Sequence, residues 1–187
     1  MKKSTMILLG VLAVIVIIIS MLGGSYNSLV TKQEQVDKEL ANIDVQLERR
    51  ADLIPNLVST VKGYTSHESE IIDKITSARE NLLKADSVSE KSTANNELTS
   101  ALNALMVVVE NYPDLKSNQN FIQLSDELAG TENRIATARR DYNDSVTSYN
   151  TSIKKFPTNI LAGMFGFEKK DYFEVSEGKT DVPNVEF

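Results

Sequence analysis

Leu40-Ala41-Asn42-Ile43-Asp44-Val45-Gln46-Leu47-Glu48-Arg49-Arg50-Ala51-Asp52-Leu53-Ile54-Pro55-Asn56-Leu57-Val58 carries apolar residues three and four positions apart, and one proline. That spacing is the signature of a helix with one packed face. Followed in both directions, the seam runs Tyr26, Leu29, Gln33, Val36, Leu40, Ile43, Leu47, Arg50, Ile54, Leu57, Val61, Tyr64, Glu68, Ile71, Ile75, Ala78 and Leu82. Only Gln33, Arg50 and Glu68 on it are neither apolar nor tyrosine. A proline in a helix interior removes a hydrogen bond and clashes with the preceding turn, at a cost of about 3 kcal/mol. In the first turn of a new helix capped by Asp52, Pro55 costs little, and Arg49 and Arg50 then close the preceding helix favourably against its dipole. The spacing therefore predicts two helices here, from about Asn27 to Arg50 and from about Leu53 to Lys84.

The pattern continues beyond Lys84. After a cap region at Ser87-Val88-Ser89, a third helix is expected on Ala94, Leu98, Ala101, Leu105 and Val108, stopped by Pro113. Asp114 to Asn118 reads as a short connection. A long fourth helix follows on Phe121, Leu124, Leu128, Ile135, Ala138, Tyr142, Val146, Tyr149 and Ile153, ended by Pro157. Its spacing goes four and four between Ala138 and Val146, a stutter that locally unwinds a coiled coil. Four long helices on short loops predict an all-α fold, an antiparallel up-and-down four-helix bundle.

Ahead of the seam, Lys2 and Lys3 precede an uncharged run from Met6 to Leu22 dominated by Ile, Leu and Val. As a helix it spans roughly 26 Å against a hydrocarbon core of about 30 Å. Met21 and Leu22 occupy positions where a signal peptidase needs small residues, so an uncleaved signal anchor is the reading, with cleavage after Gly24 as the alternative. Gly23 and Gly24 are expected to hinge the anchor. The first basic residue beyond the span is Lys32, so the N-terminus is expected in the cytoplasm and the helical body outside. Residues 1–24 are thus an anchor, 25–157 a helical body, and 158–187 a short apolar segment followed by a flexible, charged tail.

Composition narrows the chemistry. Absence of cysteine excludes disulfides, thiolate metal sites, cysteine nucleophiles and a lipidated cysteine anchor. A net charge of −6 with interspersed signs argues against a phosphate-backbone partner, so no nucleic acid is expected. His67 is the only histidine, so no serine triad and no multi-histidine metal centre can be assembled, and Ile71 stands where a zinc-protease helix would need its second histidine. No glycine-rich phosphate loop is present. The expectation is a protein that is not an enzyme and holds no cofactor or metal.

Three stretches resemble the LemA family. The first is Ile43 to Val58 with Val61-Lys62-Gly63-Tyr64 and His67-Glu68. The second is Tyr112-Pro113-Asp114-Leu115-Lys116 with Asn120-Phe121, and the third joins Glu132-Asn133-Arg134-Ile135-Ala136 to Ala138-Arg139-Arg140-Asp141-Tyr142-Asn143. Tyr26-Asn27 and Phe156-Pro157 fit the margins. Ala51 departs from the family, standing where an aromatic residue or histidine is common. The resemblance implies a bacterial, single-pass membrane protein with a four-helix bundle. Family genes often neighbour those of membrane metalloproteases, which implies a link to membrane protein quality control.

Arg50 on an apolar seam must snorkel or pair with a carboxylate such as Asp52 or Glu68. Two readings stand: a clasp fixing how the first two helices meet, or a ligand or partner site built on Arg50, Asp52, Asn56, Lys62 and Glu68. Tyr26-Asn27, Tyr142-Asn143 and Tyr149-Asn150 are expected to pack in the core with amide hydrogen bonds. Val185 and Phe187 give the C-terminus the apolar-x-apolar-carboxylate form that PDZ domains read, pointing to an envelope protease as partner. The function expected is a membrane-anchored scaffold or adaptor at the cell envelope, which meets the bilayer through Met6 to Leu22. The seam from Leu29 to Ile43 can also pair between chains as a homo-oligomer. The alternative is a bilayer-shaping, membrane-remodelling protein whose segment Asn159 to Phe167 enters the lipid interface.

Overall fold

The computed structural model describes residues 3–65 and 68–174. His67, Val185 and Phe187 lie outside the described residues. All regular structure among the described residues is helical: α1 (Lys3–Lys62), α2 (Ser69–Lys84), α3 (Val88–Val109), the single turn α4 (Pro113–Lys116), α5 (Gln119–Lys154) and α6 (Thr158–Phe165). The chain divides into two units, Met1–Glu39 with Asn143–Lys170 and Leu40–Tyr142 with Asp171–Phe187, and α1 and α5 each contribute to both.

Helix α1 corrects two expectations. It continues as helix through Gly23 and Gly24, where the sequence predicts a hinge. It also continues through Asp52 and Pro55 to Lys62. Pro55 has no N–H to give to the Ala51 carbonyl four residues back, and that carbonyl instead accepts the Nε–H of Arg79 on α2 at 2.7 Å. A side chain from the neighbouring helix replaces the hydrogen bond that proline deletes, which removes much of the reason for a break. The chain turns after Lys62 instead, where the Val61 carbonyl accepts the Thr65 N–H and hydroxyl. The turn shifts the apolar phase, so Ile72, Ile75, Ala78 and Leu82 are buried on α2 while Ile71 is only half-buried.

The α2–α3 join follows the expected signals. Ser87 caps α3, its Oγ accepting the Glu90 N–H while the Glu90 carboxylate accepts the Ser87 N–H, a reciprocal capping box. In the unit formed around Leu40–Tyr142, the buried residues include Ile43, Leu47, Ala51, Ile54, Leu57, Leu98, Leu105, Leu115, Phe121, Ile135 and Tyr142. In the other unit they include Leu29, Val36, Val146, Tyr149, Leu161 and Ala162.

The start of the tail is held, where the sequence suggested a loose segment. Buried Asn150 brackets the Lys170 backbone, donating to its carbonyl at 2.8 Å and accepting its N–H at 3.0 Å. In the other unit the Tyr142 hydroxyl donates to the Asp171 carbonyl at 2.8 Å, Phe173 is buried, and the Ser92 hydroxyl donates to the Glu174 carbonyl. These bonds satisfy backbone groups that no helix serves. Tyr142, Tyr149 and Asn150 are thus core residues, whereas Tyr26 is exposed on one side.

Candidate functional site

Among the described residues of the Leu40–Tyr142 unit, one charged side chain lies in the interior. Arg50 is 3% exposed. Its place follows from the α1 seam, which turns Leu47, Arg50, Ile54 and Leu57 to the same side. From α3, Asn95 and Thr99 stand one turn apart and accept from Arg50 Nη1 at 2.6 and 3.0 Å. From α5, Glu132 Oε2 lies 2.6 Å from the same Nη1. By distance this is an ion pair, but Glu132 Oε2 falls outside hydrogen-bond geometry, and Arg50 Nε also has no acceptor. Burial pulls the guanidinium below its ordinary pKa while Glu132 beside it pulls the other way. An arginine still keeps its charge.

The expected partners of Arg50 are corrected accordingly. Neither Asp52 nor Glu68 pairs with it. Asp52, Asn56 and Lys62 are exposed on α1, away from the interior where Arg50 is bonded. Glu68 follows the turn after α1 and accepts the Tyr112 hydroxyl at 2.9 Å, a bond that holds the Tyr112 phenol above its ordinary pKa. Nearby, Asn118 donates to the Tyr64 hydroxyl at 2.8 Å, tying the 110–118 turn to the end of α1. Arg50 therefore joins α1 to α3 and α5. Contact between α1 and α2 at this level is made by Arg79.

Sequence reasoning missed Arg79, Asn95, Thr99 and Glu132 as partners. Asn95 and Thr99 did carry a signal, two hydrogen-bonding residues four apart beside the seam positions Ala94 and Leu98. Nothing local marks Arg79, because its acceptor is a backbone carbonyl freed by a distant proline.

Beside Arg50 opens a cavity of about 360 Å³ with Leu57, Leu105, Met106, Ser125 and Leu128 on its walls and Thr99 and Glu132 at the guanidinium. The Ser125 hydroxyl is buried there without a partner. A larger groove of about 1030 Å³ between α2 and α3 is open and lined by surface side chains such as Glu70, Lys74, Asn96 and Glu97. The smaller cavity is the better candidate, because it combines apolar walls with convergent buried polar groups. Its only titratable members are Arg50 and Glu132, already committed to each other. Such a site can brace helices or hold an apolar group, and it offers no free acid–base pair. No cluster of three or more potential metal ligands occurs among the described residues.

Comparison with known proteins places this arrangement. Residues 39–187 match the LemA family. The chain belongs to the LemA family. Magnetosome protein MamQ 2 of Paramagnetospirillum magneticum is 32% identical over 195 residues, covering 90% of this chain and 71% of that protein. Magnetosome protein MamQ of Magnetospirillum gryphiswaldense is 30% identical over 204 residues, with 95% and 75% covered. Protein LemA of Metamycoplasma hominis is 30% identical over 166 residues, with 87% and 75% covered. The LemA match takes in every contact of the Arg50 cluster, and Arg79 and Ala51 with it. The apolar N-terminal run lies ahead of the matched region. It belongs to the one described helix long and apolar enough to cross a membrane, and its apolar window is unburied, as fits a single-pass membrane protein.

Proposed function

We propose that this LemA-family chain is a membrane-anchored helical scaffold or adaptor at the bacterial cell envelope, without catalytic activity. One observation carries the reading. The helix that contains the exposed apolar run is also the helix that presents Arg50 to α3 and α5, so the candidate span and the buried cluster lie on one continuous helix. Neither MamQ nor LemA is an enzyme's name, which agrees with the lack of a free acid–base pair at the cavity.

Four segments, Leu40 to Lys62 of α1 with α2, α3 and the first part of α5, are read as an up-and-down bundle. Support comes from contacts within their unit. Asp44 meets Lys91 while Arg50 meets Asn95 and Thr99, so α1 and α3 run the same way. Gln46 meets Arg134 while Arg50 meets Glu132, so α1 and α5 run oppositely. Lys2 and Lys3 beside the span favour a cytoplasmic N-terminus. In that orientation, protease added to spheroplasts digests the helical body, and protection until lysis reverses it.

The partner we favour is an envelope protease of membrane quality control that reads Val185 and Phe187, with a second copy of the chain as the rival. Affinity capture of the full chain from solubilised membranes should recover one partner in fixed ratio. Appending two aspartates after Phe187 should abolish that recovery. Recovery of the chain alone would overturn the scaffold reading, and recovery unchanged by the extension would remove the tail from it and leave the exposed side of α1 that carries Asp52, Asn56 and Lys62.

A further inference from the structure

Helix α6 is apolar on two sides. Leu161 and Ala162 are buried within their unit, but Ile160 is 54% exposed, Met164 72%, and Phe156 just before the helix 81%. A helix apolar all round is normally covered on every side. What covers the outer side of α6 is decided by where the helix sits along α1.

Phe165 and Phe167 pack edge-on against Tyr26, with ring centroids 4.9 and 5.7 Å away. Gly166 allows this return. Its φ of 72° is a left-handed conformation that ends α6, and the Phe167 N–H then bonds back to the Ala162 carbonyl at 3.0 Å. Tyr26 follows Leu22, the last residue of the apolar run, by four positions, or about 6 Å along the helix. The polar layer of a bilayer is roughly 5–8 Å deep on each side, so Tyr26 stands in it, where tyrosine is enriched. Helix α5 arrives at the same level. Lys32 Nζ donates to Ser148 Oγ at 2.7 Å, and α5 continues from there toward the helix that touches Tyr26. Six residues on, Lys154 comes level with Tyr26, six residues before Lys32. Lys154 and Lys155 are exposed, and no acidic residue occurs from Ser145 to Phe167.

We infer that α6 is a second membrane contact: an interfacial helix whose Phe156, Ile160 and Met164 enter the leaflet from which α1 emerges, while Lys154 and Lys155 bind anionic phospholipid headgroups. The inference rests on the reading of α1 as a membrane span. It gives the chain two points of attachment to one leaflet.

Because the chain has no cysteine, a single label can be placed at will. Full-length Met164→Cys and, as control, Ser77→Cys are labelled with a fluorophore in vesicles of phosphatidylcholine with or without phosphatidylglycerol. Nitroxide-labelled lipid should quench Met164→Cys several-fold more than Ser77→Cys, and iodide should do the reverse. Phosphatidylglycerol should strengthen the lipid quenching. Lys154→Gln with Lys155→Gln should remove that increment, since each lysine near an anionic surface is worth about fivefold in binding. Extraction of the chain by alkaline carbonate would overturn the span and this inference together. A chain that resists extraction while iodide alone reaches Met164→Cys would overturn the interfacial helix only, and so would a label that neither quencher reaches, which marks a face covered by protein. Lipid quenching that ignores both phosphatidylglycerol and the lysine substitutions would overturn the headgroup assignment.

Discussion

Two stretches of the Leu40–Tyr142 unit handle helix rules in opposite ways. Between Arg50 and Pro55, α1 carries a charge on its buried face and a proline in its interior, and both are accommodated by side chains from other helices. Between Lys84 and Glu90, the α2–α3 join uses only its own residues, Ser87 and Glu90, three positions apart. The first stretch is stable only in the assembled fold. The second would favour a helix start in any context. Substitutions in the first should therefore be large and coupled across helices, while those in the second should be small and independent.

The largest effect is expected at Arg50. Arg50→Ala leaves buried Asn95 without its partner and strands Glu132, which is itself 35% exposed, so a loss of roughly 3 kcal/mol, the low end for breaking a buried ion pair, is expected. For a chain of this length that lowers Tm by about 10 °C. The double substitution Arg50→Leu with Glu132→Leu should recover most of the loss, since a well-packed apolar pair can match a buried ion pair. Thermal melts of the full chain in detergent decide this. Single and double variants that melt with the parent would show that the cluster is not a brace and would return Arg50 to the ligand-site reading.

A smaller but more diagnostic effect is expected at Arg79. Arg79→Ala strands the Ala51 carbonyl, at roughly 1–3 kcal/mol. Pro55→Ala supplies the missing N–H from within α1. In that background Arg79→Ala should cost much less, giving a coupling energy of about 1 kcal/mol or more in a double-mutant cycle. Additive losses would mean that Arg79 acts by packing alone and does not stand in for the proline's lost bond.

Legibility in the sequence follows the same division. The seam from Leu29 to Val61, the Ser87 cap, the end of α2 at Lys84 and the end of α5 ahead of Pro157 are periodic or nearest-neighbour signals, and they read correctly. Arg50 was visible as an anomaly because a charge interrupts an apolar period. Its partners were not, since choosing Glu132 over Asp52 or Glu68 requires knowing which helices flank α1 at that level. Pro55 misled for the same reason. Local chemistry calls for a break there, and only the position of Arg79 in space cancels it. The hold on Lys170 by Asn150 was hidden too, because an irregular backbone segment bound by one amide leaves no periodic trace.

The smallest effect is expected at the capping box, which tests the self-contained half of the comparison. Ser87→Ala removes the acceptor of the Glu90 N–H and should cost about 1 kcal/mol, the usual value of an N-cap. It should be additive with Arg50→Ala and Arg79→Ala, since neither residue shares a partner with it. The Glu90 side carries a pH signature. The Ser87 and Asp86 N–H groups that it accepts, followed by the Ser87 hydroxyl, hold its pKa below the ordinary carboxylate value. A carboxylate whose folded pKa is depressed contributes stability above its unfolded pKa, near 4.3, and loses it as pH falls through the folded value. Glu90→Gln should therefore differ from the parent at neutral pH and converge on it in acid, below both values. Melts of the two proteins from pH 7 down to about 3 read this directly. A difference that persists unchanged in acid would show that the carboxylate charge contributes nothing to the cap, and non-additivity of Ser87→Ala with Arg50→Ala would show that the α2–α3 join also depends on the packed interior.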